Sequence, residues 1–176
     1  MPGTKNVGLC SRKGWFFPMT KKLFSTRSLC LGAIIAALYA VLTLFLPALS
    51  YGAWQCRVSE ALTVLPIVLP QSIPGLVVGC LVANLLSPVG AMDVIFGTLA
   101  TLLAAIGTYA LRKNRYLAAL CPVVANGLIV GGMLSYAYSL PLWLTMVQVA
   151  AGELLAVAIG LLLLPLLEKV DLQKLQ

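Results

Sequence analysis

The sequence predicts an all-α integral membrane protein: a bundle of six transmembrane helices whose second and third members are short and broken by proline. Three observations carry that expectation. Of 176 residues, 61% are hydrophobic and 10% charged, against about 25% charged residues in soluble domains, so there are too few polar groups to coat a water-facing surface. Long charge-free runs recur along the chain. The cations gather in a few short segments and leave the runs between them clean.

Residues 1–28 carry Lys5, Arg12, Lys13, Lys21, Lys22 and Arg27 and no acid, and read as a basic cytoplasmic tail. Leu29 to Leu49 is a charge-free run of 21 residues. As a helix it is about 32 Å long, enough to cross the hydrocarbon core. A secretory signal has a shorter apolar region, about 7–15 residues, so this run reads as a retained first span.

Residues 61–92 form a second charge-free run, of 32 residues, in which Pro66, Pro70 and Pro74 recur every four positions. That length is too great for one span and small for two, and each proline removes a helix hydrogen bond. Two short, tilted helices at about 58–69 and 72–87, joined by a tight turn, meet both constraints. Interrupted helices at membrane depth must be buried in protein or line a wet cavity, which is the first sign of a binding site. Spans at about 91–111, 117–138 and 142–167 follow, separated by the basic loop Arg112–Arg115 and a turn at Ser139–Pro141. The membrane domain is therefore 29–167, and 168–176 is a short C-terminal tail.

The charge placement orients this bundle. Apart from Arg57, the cations are confined to the tails and to one short loop, which fits the excess of Lys and Arg on cytoplasmic segments. An inside N-terminus with six spans returns the Arg112–Arg115 loop and the C-terminus to the same side, and sends Arg57, Glu60 and Asp93 outward. The net charge of +7 then speaks for contact with anionic lipid and against a nucleic-acid partner. Five cysteines without a CxxC pair, and no histidine at all, argue against a disulfide frame or a metal site. No cofactor is expected. The chain carries no GxxxxGK[ST], HExxH or GxSxG motif, so it is read as neither an ATPase nor an enzyme.

An ionisable group inside a span costs about 2.5–3.5 kcal/mol on insertion scales, so each one needs a partner or a task. Arg57 and Glu60, three residues apart, share a helix face and pair with each other, or one of them holds substrate. Asn84 closes the third helix, and Asp93 follows the turn Ser87-Pro-Val-Gly, where it either caps the fourth helix or serves a site. Glu153 lies deep in the last span, with Gln148 nearer its outer end. Such a carboxyl is protonated, paired with Arg57, or waiting for a cationic or hydrogen-bond-donating ligand. Asn126 is interhelical glue or a site member. Tyr51, Trp54, Tyr136, Tyr138 and Trp143 gather near the outer boundary, as an interfacial belt or, for one or two of them, as a stacking surface. On the first span Gly32, Ala36 and Ala40 stand four apart, with Ala33 and Ala37 beside them. This small-residue stripe suits close helix packing, within the bundle or against another subunit.

Four runs together resemble the queuosine-precursor transporter (QueT) family: Gln55-Cys-Arg-Val-Ser-Glu-Ala-Leu-Thr-Val-Leu-Pro, Ala83-Asn-Leu-Leu-Ser-Pro, Asp93-Val-Ile-Phe-Gly-Thr-Leu-Ala-Thr and Gln148-Val-Ala-Ala-Gly-Glu153. The likeness covers roughly residues 29–167. Cys56 departs from it, standing where a bulkier apolar residue is usual. The resemblance implies the substrate-binding (S) component of an energy-coupling-factor (ECF) importer in a bacterial plasma membrane. Such a component has six helices, captures a deazaguanine such as queuine at the outer face, and works with a transmembrane T protein and two cytoplasmic ATPases. It also implies that the first-helix stripe, Gly32, Ala33, Ala36, Ala37 and Ala40, docks the T protein.

Chemistry alone suits a flat, polar ligand of this kind without choosing its contacts. A guanine-like edge presents adjacent N–H donors that one carboxylate accepts together, and charge-assisted contacts are the strong ones, which nominates Glu60 or Glu153. Asn84, Gln148 or Gln55 meets the carbonyl side. Asp93 or the second glutamate suits a cationic substituent, Arg57 is the basic member of the group, and Trp54, Tyr136 or Trp143 stacks on the ring. The rival classes are a stand-alone proton-coupled transporter, with Glu153 as its proton site, and an assembly protein that binds no small molecule.

Overall fold

The computed structural model describes residues 25–50 and 57–169. Gln55, Trp54 and Tyr51, and nearly all of the basic tail, lie outside the described residues. Helix α1, Thr26–Phe45, is apolar throughout and stops at Leu46, because the residue before a proline is driven out of helical geometry. Pro47 then opens a single turn, Pro47–Ser50. Helix α2, Val58–Ile67, winds as a 3-10 helix with Pro66 inside it. The Thr63 hydroxyl donates to the Glu60 carbonyl three residues back, at 2.6 Å, in step with that tighter winding. Helix α3, Ser72–Asn84, holds Pro74 in its first turn, where a backbone N–H has no helical partner to lose.

Helix α4 covers Asp93–Ala110 and opens with a π turn at Asp93–Gly97. Helix α5, Arg115–Tyr138, is capped by the Asn114 side chain, which accepts from the Tyr116 and Leu117 amides. It ends on Ser139 in the left-handed region, φ 55°. Helix α6, Leu142–Lys169, closes the chain. Among the described residues these six helices make an all-α membrane protein. Four of them, α1, α4, α5 and α6, are long and apolar enough to cross a membrane.

Two features set the interior. Pro122 lies within α5 and leaves the Ala118 carbonyl without its helical donor, and the Thr108 hydroxyl of α4 donates to that oxygen at 3.2 Å. A neighbouring helix thus repairs a break that lipid could not. Close approach is the second feature. A Cβ built on Gly75 would stand 2.5 Å from the Gly32 carbonyl oxygen, and one on Gly79 would stand 2.7 Å from that of Ala36, so α1 lies backbone to backbone on α3.

The alternation of the helices brings the start of α1, the α2–α3 turn at 68–71 and the basic loop Arg112–Arg115 to one end of the bundle. The segments 85–92 and 139–141 come to the other. Both short helices end before the lengths expected of them. Ten residues of 3-10 helix and thirteen of α-helix each reach about 20 Å, against a hydrocarbon core of about 30 Å. The α2–α3 hairpin therefore enters from the basic end, and its polar tips, Arg57 and Asn84, meet Asp93 at the start of α4.

Candidate functional site

At those tips a buried polar cluster forms. Arg57 precedes the first turn of α2 with an extended backbone, φ −82° and ψ 102°. Its side chain runs to Asp93 Oδ2 at 2.7 Å and to Asn84 Oδ1 at 3.0 Å. The Asn84 amide nitrogen in turn donates to the Asp93 carbonyl at 3.0 Å. One guanidinium thereby ties α2, α3 and α4 together. The π turn makes room for this knot: a Cβ on Gly97 would stand 2.7 Å from Asn84 Nδ2 and 2.8 Å from Asp93 Oδ1.

Glu60, one turn into α2, has a different partner. Tyr39, fully buried on α1, donates its hydroxyl to Glu60 Oε1. Four residues further along α1, Thr43 donates to Ser59 Oγ at 2.7 Å, so two hydrogen bonds lock α1 to α2. Glu60 Oε2 makes no hydrogen bond of normal geometry and neither do Glu153 Oε1 and Asn126 Nδ2, although all three atoms are buried. Leaving such groups unmet costs about 1–3 kcal/mol each, more where charged.

These orphaned atoms share one cavity. It is lined by Arg57 and Glu60 of α2, Asn126 and Val130 of α5, and Val149 and Glu153 of α6, and encloses about 220 Å³ of non-atom space with its mouth included. As it stands, its centre holds roughly one water molecule. Three carboxyl groups (Glu60, Asp93, Glu153) stand in the buried cluster beside the single guanidinium of Arg57. The arrangement can accept hydrogen bonds from a ligand at two carboxylates and donate one from an amide, with Val130 and Val149 as its apolar lining.

The structure brings together Arg57, Glu60, Asn84, Asp93, Asn126 and Glu153 out of the residues singled out from sequence. It does not pair Arg57 with Glu60. Gln148 is half-buried about one and a half turns from Glu153 and does not line the cavity. Tyr136 and Trp143 are each 78% exposed and face outward, in the manner of an interfacial belt. The first-helix stripe divides. Gly32 is buried and Ala36 half-buried against α3, Ala40 is half-buried, and Ala33 and Ala37 are exposed. Sequence reasoning missed Tyr39, Val130 and Val149. A lone tyrosine in a charge-free span, with a threonine four residues on, was the one available hint for the first; the valines carry no signal at all.

Comparison with known proteins agrees with this architecture. The family model described as QueT transporter matches residues 29–169, from within α1 to the end of α6. The chain belongs to the QueT transporter family. A stretch of 72 residues is 44% identical to the Lactococcus lactis subsp. cremoris (strain MG1363) protein named queuosine precursor transporter QueT. That stretch covers 40% of this chain and 42% of the relative, less than half the length of either. No solved structure matches the chain.

Proposed function

We propose that this QueT-family transporter is the substrate-binding component of an ECF importer, and that it takes up a queuosine precursor, a deazaguanine such as queuine, through the Glu60–Asn126–Glu153 cavity. The observation that carries the reading is the set of buried, unmet polar atoms around that cavity: two carboxylate oxygens and one amide nitrogen. Native interiors satisfy such groups, and here a polar ligand is what would satisfy them. The family membership and the relative's printed name supply the ligand class.

In this reading both termini are cytoplasmic and the cavity opens toward the outer face of a bacterial plasma membrane. The basic end of the bundle supports that orientation, since Arg27, Arg112, Lys113 and Arg115 gather there as cytoplasmic segments do. A T protein and two ATPases supply the coupling. The exposed Ala33 and Ala37 leave one face of α1 open for the T protein to approach closely. A two-ring ligand is larger than the present gap, so binding widens the site, and the short α2–α3 tips are the parts with least span to hold them.

Titration of the purified chain with queuine by calorimetry is expected to give tight binding, and millimolar affinity or none removes the cargo. A second reading has its own support: buried carboxyl oxygens at membrane depth are also what a proton-coupled transporter needs. Uptake into proteoliposomes separates the two. The importer needs ATP and partner subunits, whereas the proton-coupled protein works alone under a pH gradient.

A further inference from the structure

We infer that the loop between α4 and α5 binds the headgroup of an anionic phospholipid, with Arg112, stacked on the ring of Tyr109, as its anchor. Neither the importer reading nor the identity of its cargo enters into this.

Arg112, Lys113 and Arg115 place three cations within four residues, with no acid among them, and all three are exposed. Charge alone has two uses at this position: it keeps the loop on the cytoplasmic side, and it complements the C-terminal end of α4. Any cation reaching into water meets both. Arg112 does not reach into water. Its backbone amide donates to the Tyr109 carbonyl at 3.4 Å, and its guanidinium lies over the Tyr109 ring, 4.1 Å from the centroid. The loop thus folds this side chain back against the last turn of α4. Stacking occupies a face of the planar guanidinium and leaves its N–H edge to meet an acceptor, a geometry matched to phosphate oxygens.

The surroundings of that edge suit a lipid and not a free ion. Ile106, three residues before Tyr109 on α4, is exposed, and so is Leu103, three residues before that. Residues three apart are neighbours on a helix surface, so an apolar track runs from the ring along α4 for an acyl chain to follow. Lys113 and Arg115 add positive potential to the same loop. That potential attracts a headgroup of net negative charge and disfavours the quaternary ammonium of a zwitterionic one. The Tyr116 and Leu117 amides of α5 are already taken by the Asn114 side chain, so the anion is held by side chains and not by the helix end.

The test titrates the full chain in detergent with phosphatidylglycerol or with phosphatidylcholine of the same acyl chains, and reads the fraction carrying bound lipid by native mass spectrometry. Phosphatidylglycerol is expected to bind about fivefold or more tighter, the scale of one cation beside an anionic headgroup. Arg112→Lys and Tyr109→Leu leave the net charge unchanged, and each is expected to weaken phosphatidylglycerol about two- to fivefold, the scale of an exposed cation–π contact. A diffuse basic surface would register neither change. The cations of residues 1–28 are common to every chain compared and cannot create the difference. Equal binding of the two lipids overturns the inference and leaves the loop to an acidic protein surface. Unchanged binding in Arg112→Lys or in a folded Tyr109→Leu overturns it too, as does full competition by inorganic phosphate at the lipid's own concentration, which would mark a free-anion site. Should Tyr109→Leu fail to fold, Arg112→Lys, at an exposed position, decides the matter by itself.

Discussion

Arg57 and Asp93 lie 36 residues apart and form an ion pair at 2.7 Å with side chains only 6% and 1% exposed. The pair closes the inner ends of α2 and α4 around Asn84. Removing one partner of a buried pair leaves the other charge uncompensated, at a cost of about 3–5 kcal/mol.

Arg57→Met and Asp93→Asn are therefore each expected to lower the melting temperature in detergent markedly. The double variant Arg57→Met/Asp93→Asn should lose less than the sum of its single changes, by more than about 1 kcal/mol in a double-mutant cycle. Strict additivity would mean that the pair holds nothing together.

Tyr39 sets up a second test. Its hydroxyl is the donor that directs Glu60, and phenylalanine keeps the ring while removing the donor. Tyr39→Phe removes the hydroxyl from which Glu60 Oε1 accepts, and is expected to cost about 1–3 kcal/mol of stability. It should also weaken ligand binding, because the carboxylate is no longer held in one direction. Thr43→Val removes a bond of similar length that does not touch Glu60, so it should lower stability and spare affinity. Equal effects on affinity would show that the tyrosine acts only through packing.

The first-helix stripe makes the third prediction. Gly75→Leu forces a side chain into the space of the Gly32 carbonyl, and overpacking of this kind costs about 1–3 kcal/mol or more, so this variant should be poorly folded. Ala33→Trp and Ala37→Trp add bulk on an exposed face of the same helix. They should melt and bind ligand as the native chain does, yet abolish uptake in the reconstituted importer. Destabilisation by Ala37→Trp as large as that by Gly75→Leu would assign the whole stripe to internal packing.

These residues also show what a sequence can and cannot disclose here. The helix order was legible, and so were the polar residues that the structure gathers into one buried cluster, because most of each span is charge-free and an ionisable residue within one stands out against it. The turns were legible at Pro70 and at Ser139–Pro141, where local chemistry decides. Pairing was not. Three-residue spacing put Arg57 over Glu60, but that rule assumes both residues are helical. Arg57 sits before the helix with an extended backbone, so its side chain leaves the α2 face and crosses to Asp93. No local pattern signals a contact between residues 36 positions apart, nor the π turn that gives Gly97 its place beside Asn84.

The division of charge between the two ends of the bundle yields the last prediction. Described cations at the helix ends, Arg27, Arg112, Lys113 and Arg115, fall at one end by the alternation of helices, and the turn at Ser139 falls at the other. Insertion favours retaining Lys and Arg on the cytoplasmic side. In a chain with Cys10, Cys30 and Cys56 changed to serine, Ser139→Cys should react with a membrane-impermeant maleimide in intact cells, and Lys113→Cys only after permeabilisation. The cavity lies at the tips of the α2–α3 hairpin, away from the Lys113 end, so this outcome places it toward the outside, as the proposed importer requires. The opposite labelling pattern would turn the cavity to the cytosol, and the uptake reading would fail with it.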